Sequence, residues 1–177
     1  MSAVSRLIII GLLCAMAAGC GMPRFGLGLG DKPKSVPNVP RERSVDPNRA
    51  VALINAHRSD KGRLPIRHDP RLSRIAAETA RELARRNTLN TEMHSAKGMA
   101  DRLEAANYSA SRAAENLGAG YPTLVLAVEG WKDSRRHNKN LLNRDLTHGG
   151  IGLALTDAGD FKSFWVLILA TPDEPSG

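Results

Sequence analysis

Residues 129–152, EGWKDSRRHNKNLLNRDLTHGGIG, decide the fold of this chain. The segment begins as the end of a helix that carries Trp131 and passes through a basic turn, Ser134-Arg135-Arg136, to His137. A glycine pair then leads into an apolar run, which predicts a strand from Ile151. By itself this pattern indicates a helix-to-strand connection with a surface histidine. Whether His137 belongs to a site depends on the rest of the chain.

Residues 1–19 have the features of a signal peptide. Arg6 supplies a positive charge, and the apolar run from Leu7 to Ala15 is too short to span a bilayer, which takes about 20 residues. The following Ala17-Ala18-Gly19-Cys20 resembles a bacterial lipobox. We therefore expect cleavage before Cys20 and lipid, including palmitate, on this cysteine. A plain cleaved signal peptide is the alternative.

Lipid on Cys20 would anchor the protein to a membrane of the bacterial cell envelope. Because Gly21 and not aspartate follows the cysteine, we expect the outer membrane, facing the periplasm, if the host is a diderm. Residues 20–45 are rich in Gly, Pro and basic residues without an apolar period, which predicts a flexible tether. One folded domain over residues 46–172 and a polar tail over 173–177 follow.

The cysteine content and the charge exclude some classes of function. Of the two cysteines, Cys14 lies in the signal peptide and Cys20 is expected to carry lipid, so the mature domain has no thiol for a disulfide or a cysteine nucleophile. The net charge is +7, but Lys and Arg are interspersed with Asp and Glu, and there are only two Tyr. This favours an anionic envelope polymer or lipid over nucleic acid as a partner. The oligomeric state is not defined by the sequence.

Two Asp-Pro pairs predict the starts of two helices, because aspartate caps a helix and proline suits its first turn. Asp46-Pro47 begins a helix that Gly62 ends, and Asp69-Pro70 begins one that runs to about Arg86. In the second helix, residues spaced by three and four predict a buried stripe. The stripe consists of Leu72, Ile75, Ala76, Thr79, Ala80 and Leu83.

The second half of the domain is predicted to end in a hairpin. A third helix is expected over about 98–107 and a fourth from Pro122 through Trp131, with an irregular stretch and a glycine-containing turn between them. Residues 151–156 and 161–171 are predicted strands, joined by a turn. Because the last strand is apolar on both faces, we expect it at the centre of a sheet with helices above and below.

Three polar residues from separate stretches are candidates for a shared site. His94 follows a polar loop, and His137 follows the basic turn. Glu115 lies between Ala114 and Leu117, so we expect it to be at least half buried and to need a partner, for which a histidine is suited. By contrast, His57 and His68 are predicted on the solvated surface.

The order of these elements resembles the CAP superfamily of cysteine-rich secretory proteins, antigen 5 and pathogenesis-related 1 proteins, in its short bacterial form. The resemblance rests on His94 after two helices, AENLGAG at 114–120, Trp131 with Ser134 and His137-x-x-x-Leu-Leu, and GGIGLAL at 149–155. Asn55-Ala56-His57-Arg58 is similar to the family's N-x-x-R segment. The resemblance implies an α+β fold, a three-layer α-β-α sandwich with a small central antiparallel sheet and one broad cleft.

The resemblance also implies a cleft cluster of two histidines and two acids, in some members occupied by a divalent metal. His94, Glu115 and His137 match three of these positions, and Ser134 stands at the fourth. We expect the ligand cleft to contain these four residues and Asn116. A weak zinc site made by His94, Glu115 and His137 is a further hypothesis.

The sequence predicts an envelope-anchored binding module whose His/Glu cleft holds a small molecule, lipid or cell-wall fragment. A hydrolase is the alternative, with His94 or His137 as general base, Glu115 orienting it and Ser134 as nucleophile. A purely structural domain, in which these residues brace the layers, is the third hypothesis. No reaction can be assigned from fold analogy alone.

Overall fold

The structure is a computed structural model and describes residues 38–173. The predicted α+β fold is confirmed. Its helices are α1 Pro47–Asp60, α2 Pro70–Arg86, α3 Ala96–Ala105, α4 Leu124–Asp133 and α5 Arg135–Leu141. Its strands are β1 Arg67–His68, β2 Ala110–Ala119, β3 His148–Leu155 and β4 Ser163–Pro172, and a single 3-10 turn spans Glu92–His94. The predicted signal peptide and lipidated Cys20 lie outside the described residues.

Both Asp-Pro pairs begin helices as predicted. The Asp46 side chain accepts a hydrogen bond from the backbone N–H of Asn48 at 2.9 Å. The Asp69 side chain accepts one from the backbone N–H of Arg71 at 2.8 Å. These bonds satisfy backbone donors that the first turn of a helix leaves without partners. The second helix ends at Arg86, where predicted, and its whole predicted stripe is buried.

The four strands form one sheet in the order β1-β3-β4-β2. The pairs β2–β4 and β3–β4 are antiparallel, as predicted, whereas the short β1–β3 pair is parallel, so the sheet is mixed. The parallel edge was not predicted. It forms because Asn55 of α1 holds Ile66 through both side-chain groups: Nδ2 donates to the Ile66 carbonyl at 2.9 Å, and Oδ1 accepts from its N–H at 2.8 Å. Arg67 then pairs with His148.

The last strand, β4, lies inside the sheet, and residues 163–170 are all buried, which confirms the predicted central position. Its two faces belong to different apolar clusters. Phe164, Val166 and Ile168 pack in the cluster that contains the apolar face of α2. Trp165, Leu167 and Leu169 pack with residues of α1, α4 and α5 on the other side. The sheet therefore separates two helical layers, as the three-layer sandwich requires.

The helix α2 lies directly on the backbone of β3. A Cβ atom at Gly150 would lie 2.6 Å from Cβ of Leu72, and one at Gly152 would meet main-chain atoms of Ala76 and Ala77 well inside the 3.0 Å that real Cβ atoms respect. The helix can come this close because the strand has no side chain at these two positions. The close packing of α2 on β3 therefore requires the glycines of the GGIG sequence.

Arg58 is a buried cation that forms no ion pair with a carboxylate of residues 38–173. Its guanidinium donates to the carbonyl of Leu64 at 2.8 Å and to the carbonyl of Leu141, the last residue of α5, at 2.7 Å. It also donates to the carbonyls of Asn143 at 3.0 Å and Leu146 at 3.3 Å. Burial and the nearby Arg63 charge lower the pKa of Arg58. One side chain therefore ties α1 to the segment between α5 and β3.

The glycine-containing turn predicted between the third and fourth helices is wrong over 114–118, which is part of β2. Gly118 lies in the strand, and aromatic rings cover it: an added Cβ would lie 3.2 Å from the Tyr121 ring and 3.3 Å from Trp131 Nε1. Only tertiary packing reveals this requirement, since a glycine in a sequence is also typical of turns. A positive φ, which glycine adopts readily, is found at Gly120, where φ is +80°.

The basic turn after Trp131 is largely helical, and the surface prediction for His57 is wrong. Residues 135–141 form α5, and Ser134 is both the C-cap of α4 and the N-cap of α5. His57 is buried, and its Nε2 lies 2.7 Å from Asn138 Oδ1 of α5. His68 is half-buried, with Nε2 2.9 Å from Ser73 Oγ. The short α5 covers His57, which a search for apolar periodicity does not anticipate.

The segment that precedes α1 contacts the residues that lead into α4. The backbone N–H of Glu42 donates to the Pro122 carbonyl at 2.8 Å, and the Glu42 carboxylate pairs with Arg49 at 3.0 Å. Among residues 38–173, no helix is long and apolar enough to cross a membrane.

Candidate functional site

The candidate site is centred on Glu115, in the strand at one end of the sheet order. Along β2, side chains alternate between the two faces of the sheet. Glu115 therefore shares a face with Leu117, which packs in the α2 cluster. Its side chain is only 4% exposed. A carboxylate this deeply buried needs strong partners, because burial without them is highly unfavourable.

Two side chains satisfy Glu115, one on each oxygen. Arg102 of α3 donates from a terminal guanidinium nitrogen to Glu115 Oε1 at 2.8 Å. His94, in the 3-10 turn, places Nδ1 3.0 Å from Glu115 Oε2. The predicted meeting of His94 with Glu115 thus appears in the structure, whereas the role of Arg102 was not predicted.

Arg102 connects four parts of the domain. Besides Glu115, it donates to the Thr79 hydroxyl of α2 at 2.7 Å and to the carbonyl of Met93 at 2.8 Å. Its Nε donates to the carbonyl of Gly98 at 3.1 Å. The 92–94 turn is therefore fixed to α3 and to the sheet by the same side chain, next to the histidine that the turn carries.

Gly98 brings the 3-10 turn onto α3. A Cβ at this position would lie 2.5 Å from the carbonyl oxygen of Glu92 and 2.8 Å from the Met93 Cα. The helix begins just before it, because the Ser95 hydroxyl caps the Gly98 N–H at 2.9 Å. This explains why α3 starts earlier than the predicted residue 98.

His94 is oriented by its carboxylate partner. A carboxylate at neutral pH only accepts hydrogen bonds, so we assign a proton to the Nδ1 that faces Glu115. In the neutral ring, Nε2 is then the acceptor. The His94 side chain is 35% exposed, against 17% for Arg102. Among Glu115, Arg102 and His94, called the trio below, His94 is therefore the most accessible to a ligand, and it presents one defined hydrogen-bonding atom.

A second polar group lies on the next residue of β2. Asn116 Nδ2 donates to the main-chain carbonyl of His137 at 3.1 Å. Asn140 of α5 donates to the Asn116 side-chain oxygen at 2.9 Å and to the Glu115 carbonyl at 3.2 Å. These bonds bring the α5 backbone at His137 beside the site strand. Ser134 begins α5 without a side-chain capping bond.

A cleft of about 290 Å³ opens beside Arg102, between α2 and α3. Apolar and polar side chains contribute to its wall. The residues that line it with Arg102 are Ile75, Glu78, Thr79, Met93, Ala105 and Ala106. Of the trio, only Arg102 reaches this cleft.

The donor set does not fit the hypothesised zinc site as it stands. Both oxygens of Glu115 already accept hydrogen bonds, from Arg102 and from His94. A metal ion bound to this carboxylate would lie next to a permanently charged guanidinium. Within residues 38–173, no group of three or more His, Cys, Asp or Glu side chains is arranged to hold a metal ion.

Sequence reasoning found the carboxylate and one histidine of this trio but missed the arginine. The signal for Arg102 was the rule used for Glu115, that a buried carboxylate needs a cationic or hydrogen-bonding partner. A histidine and an arginine satisfy that rule equally well. Arg102 also precedes Leu103, the buried residue of α3. A sequence analysis could therefore have placed Arg102 at the edge of the buried face of this helix.

Comparisons with known proteins agree with the observed fold. Residues 51–169 match the model of the CAP family, described as the cysteine-rich secretory protein family. The chain is 28% identical over 122 residues to the uncharacterized protein YkwD of Bacillus subtilis, covering 69% of this chain and 48% of that protein. It is also 28% identical over 124 residues to the uncharacterized membrane protein YlbC of the same organism, covering 69% of this chain and 36% of that protein. The chain thus spans half or less of these relatives.

Solved structures show the same fold. An extracellular protein of Bacillus anthracis that contains an SCP domain superposes with a TM-score of 0.59 at 25% identity, over 71% of this chain and 40% of that one. An outer surface protein of Borrelia burgdorferi superposes with a TM-score of 0.59 at 21% identity, over 73% of this chain and 98% of that one.

Proposed function

Because this chain belongs to the CAP family of cysteine-rich secretory proteins, we propose that it is a binding module of the bacterial cell envelope, anchored by lipid on Cys20. Its His94–Glu115 pair contacts a small molecule, lipid or cell-wall fragment. The observation that carries this proposal is a partly exposed histidine fixed to a nearly buried carboxylate at 3.0 Å. Such a pair presents a polar atom in a fixed position, which a ligand can use without ordering the site first.

The basic surface of α5 supports an anionic partner. Arg135, Arg136 and Lys139 are exposed, whereas His137 is half-buried and Leu141 is buried. In the described part of the chain, none of the three basic residues takes part in an ion pair within 4.0 Å. The helix therefore presents positive charge next to β2, on the side of the sheet opposite to the Glu115 side chain, and raises the local concentration of anionic ligands along this strand.

The ligand proposal is tested by native mass spectrometry with anionic probes. Purified protein is incubated with soluble muropeptides or with a short-chain phosphatidylglycerol. We expect a mass adduct on the wild type that falls at least tenfold in His94→Ala, because the exposed ring supplies the contact. His68→Ala is the matched control, since His68 is a histidine that also hydrogen-bonds another side chain, that of Ser73, away from the site. Equal adducts in all three proteins, or none in any, would argue against a site at His94.

The anchor is tested by labelling with an alkyne analogue of palmitate, followed by detergent fractionation. We expect label and detergent dependence in the wild type, because two or more acyl chains hold a protein stably at a bilayer. Cys20→Ala should lose the label, whereas the control Cys14→Ala should keep it because Cys14 lies in the predicted signal peptide. A wild type without label, released like Cys20→Ala, would remove the lipoprotein proposal.

A hydrolase remains the second candidate because a carboxylate-oriented histidine is also the arrangement of a general base. The hydroxyl of Ser134 makes no hydrogen bond to His94 among the described residues, so the predicted nucleophile is not paired with this base. Turnover of muropeptides that is lost in both Glu115→Gln and His94→Ala would favour this candidate over the binding module.

A further inference from the structure

The charge of the site is already balanced from within the chain. Glu115 faces a guanidinium on one oxygen at 2.8 Å and an imidazole nitrogen on the other at 3.0 Å. Both partners come from one short segment, the 3-10 turn and α3. All three side chains are at least partly buried, with the carboxylate the deepest.

We infer that Arg102 is the resident cation of this site: its guanidinium holds the carboxylate that a divalent ion would need, so ligand binding at His94 requires no metal on Glu115. The inference rests on the proposed function and identifies the residue that supplies the positive charge opposite Glu115. It assigns to Arg102 the positioning of both Glu115 and the turn that carries His94.

The first support is that Arg102 is fixed by groups other than Glu115. The Thr79 hydroxyl and the carbonyls of Met93 and Gly98 accept from it at 2.7, 2.8 and 3.1 Å. A guanidinium has five N–H donors in a rigid fork and keeps its charge at any ordinary pH. An ion that bound Glu115 would have to break this network or lie beside the positive charge.

The second support is the shortage of other ligands. The acidic residues of this region, Glu78, Glu92, Asp101 and Glu104, are exposed, and Asp101 pairs with Lys97 at 2.7 Å. Within residues 38–173 none of them joins Glu115 and His94 in a group arranged to hold a metal ion. Ser134, at the start of α5, contributes no charge. A dication thus meets one engaged carboxylate where it needs several oxygen or nitrogen ligands.

The test is calorimetric titration of zinc chloride into the full-length protein. Wild type should bind zinc no tighter than about millimolar at this site. Arg102→Gln should bind at least tenfold tighter, because it frees Glu115, and adding Glu115→Gln should remove the gain. Arg112→Gln is the matched control, since Arg112 also lies in an ion pair, with Asp145 at 3.3 Å, on the site strand. The zinc affinity of Arg112→Gln should equal that of the wild type.

Two results would overturn the inference. One is tight zinc binding by the wild type that Glu115→Gln abolishes, and the other is a folded Arg102→Gln protein that binds zinc no better than the wild type. If Arg102→Gln does not fold, NMR of the wild type with zinc tests the inference instead. Its His94 ring signals in NMR should stay unchanged at one equivalent of zinc, and a shift that Glu115→Gln removes would contradict the inference.

These outcomes are separate from those of the proposed function. The ligand adduct on His94 should persist in EDTA if Arg102 is the resident cation. A missing adduct would count against the binding module and leave the zinc result to decide the role of Arg102.

Discussion

Gly152→Ala is expected to lose about 3 kcal/mol or more of unfolding free energy, at or above the upper end of the usual range for overpacked cores. The new methyl group would meet the main chain of α2 at Ala76 and Ala77. Backbone atoms cannot rotate away as a side chain can, so α2 and β3 would have to separate along their contact. Urea denaturation at 25 °C measures the loss.

The matched control is Gly62→Ala, which adds the same methyl group where no atom lies within 4 Å. Its cost should be about 1–2 kcal/mol, because Gly62 has a φ of +62° and alanine is strained there. A Gly152→Ala protein no less stable than Gly62→Ala would show that α2 does not rest on the β3 backbone.

Trp131→Ala should lower the unfolding free energy by about 3–5 kcal/mol, as truncation of a fully buried tryptophan does. Trp131 is 1% exposed and belongs to the apolar cluster between the sheet and the helices α1, α4 and α5. Its Nε1–H donates to the Leu117 carbonyl at 2.9 Å, so the variant also leaves a buried acceptor without its partner.

Trp131→Phe separates the loss of the hydrogen bond from the loss of ring volume, and Val125→Ala is the surface control. Trp131→Phe keeps much of the ring volume and removes the donor, so it should fall between the wild type and Trp131→Ala. Val125→Ala, on the exposed side of α4, should change stability by about 0.5 kcal/mol or less. A loss below about 1 kcal/mol for Trp131→Ala would place the ring outside the core, on the surface.

Predictions based on local rules were confirmed. The two Asp-Pro helix starts, the buried stripe of α2 and the last hairpin each depend on residues close in sequence, where capping and periodicity act directly. The central position of β4 also followed, because a strand that is apolar on both faces must be covered on both.

Predictions that required long-range contacts were less successful. Gly118 looked like a turn residue because the rings of Tyr121 and Trp131 that cover it are brought there by the fold. His57 looked like a surface residue because Asn138, its partner, lies on a helix that the sequence did not reveal.

The sequence by itself determined the family, the order of the main elements and the polar residues His94 and Glu115 of the candidate site. Only the tertiary structure decided what satisfies Glu115. A buried carboxylate requires compensation of its charge, but that requirement is equal for a histidine, an arginine or a metal ion. Arg102 provides it because α3 packs beside α2 and β2, and this packing places a guanidinium within 2.8 Å of the carboxylate.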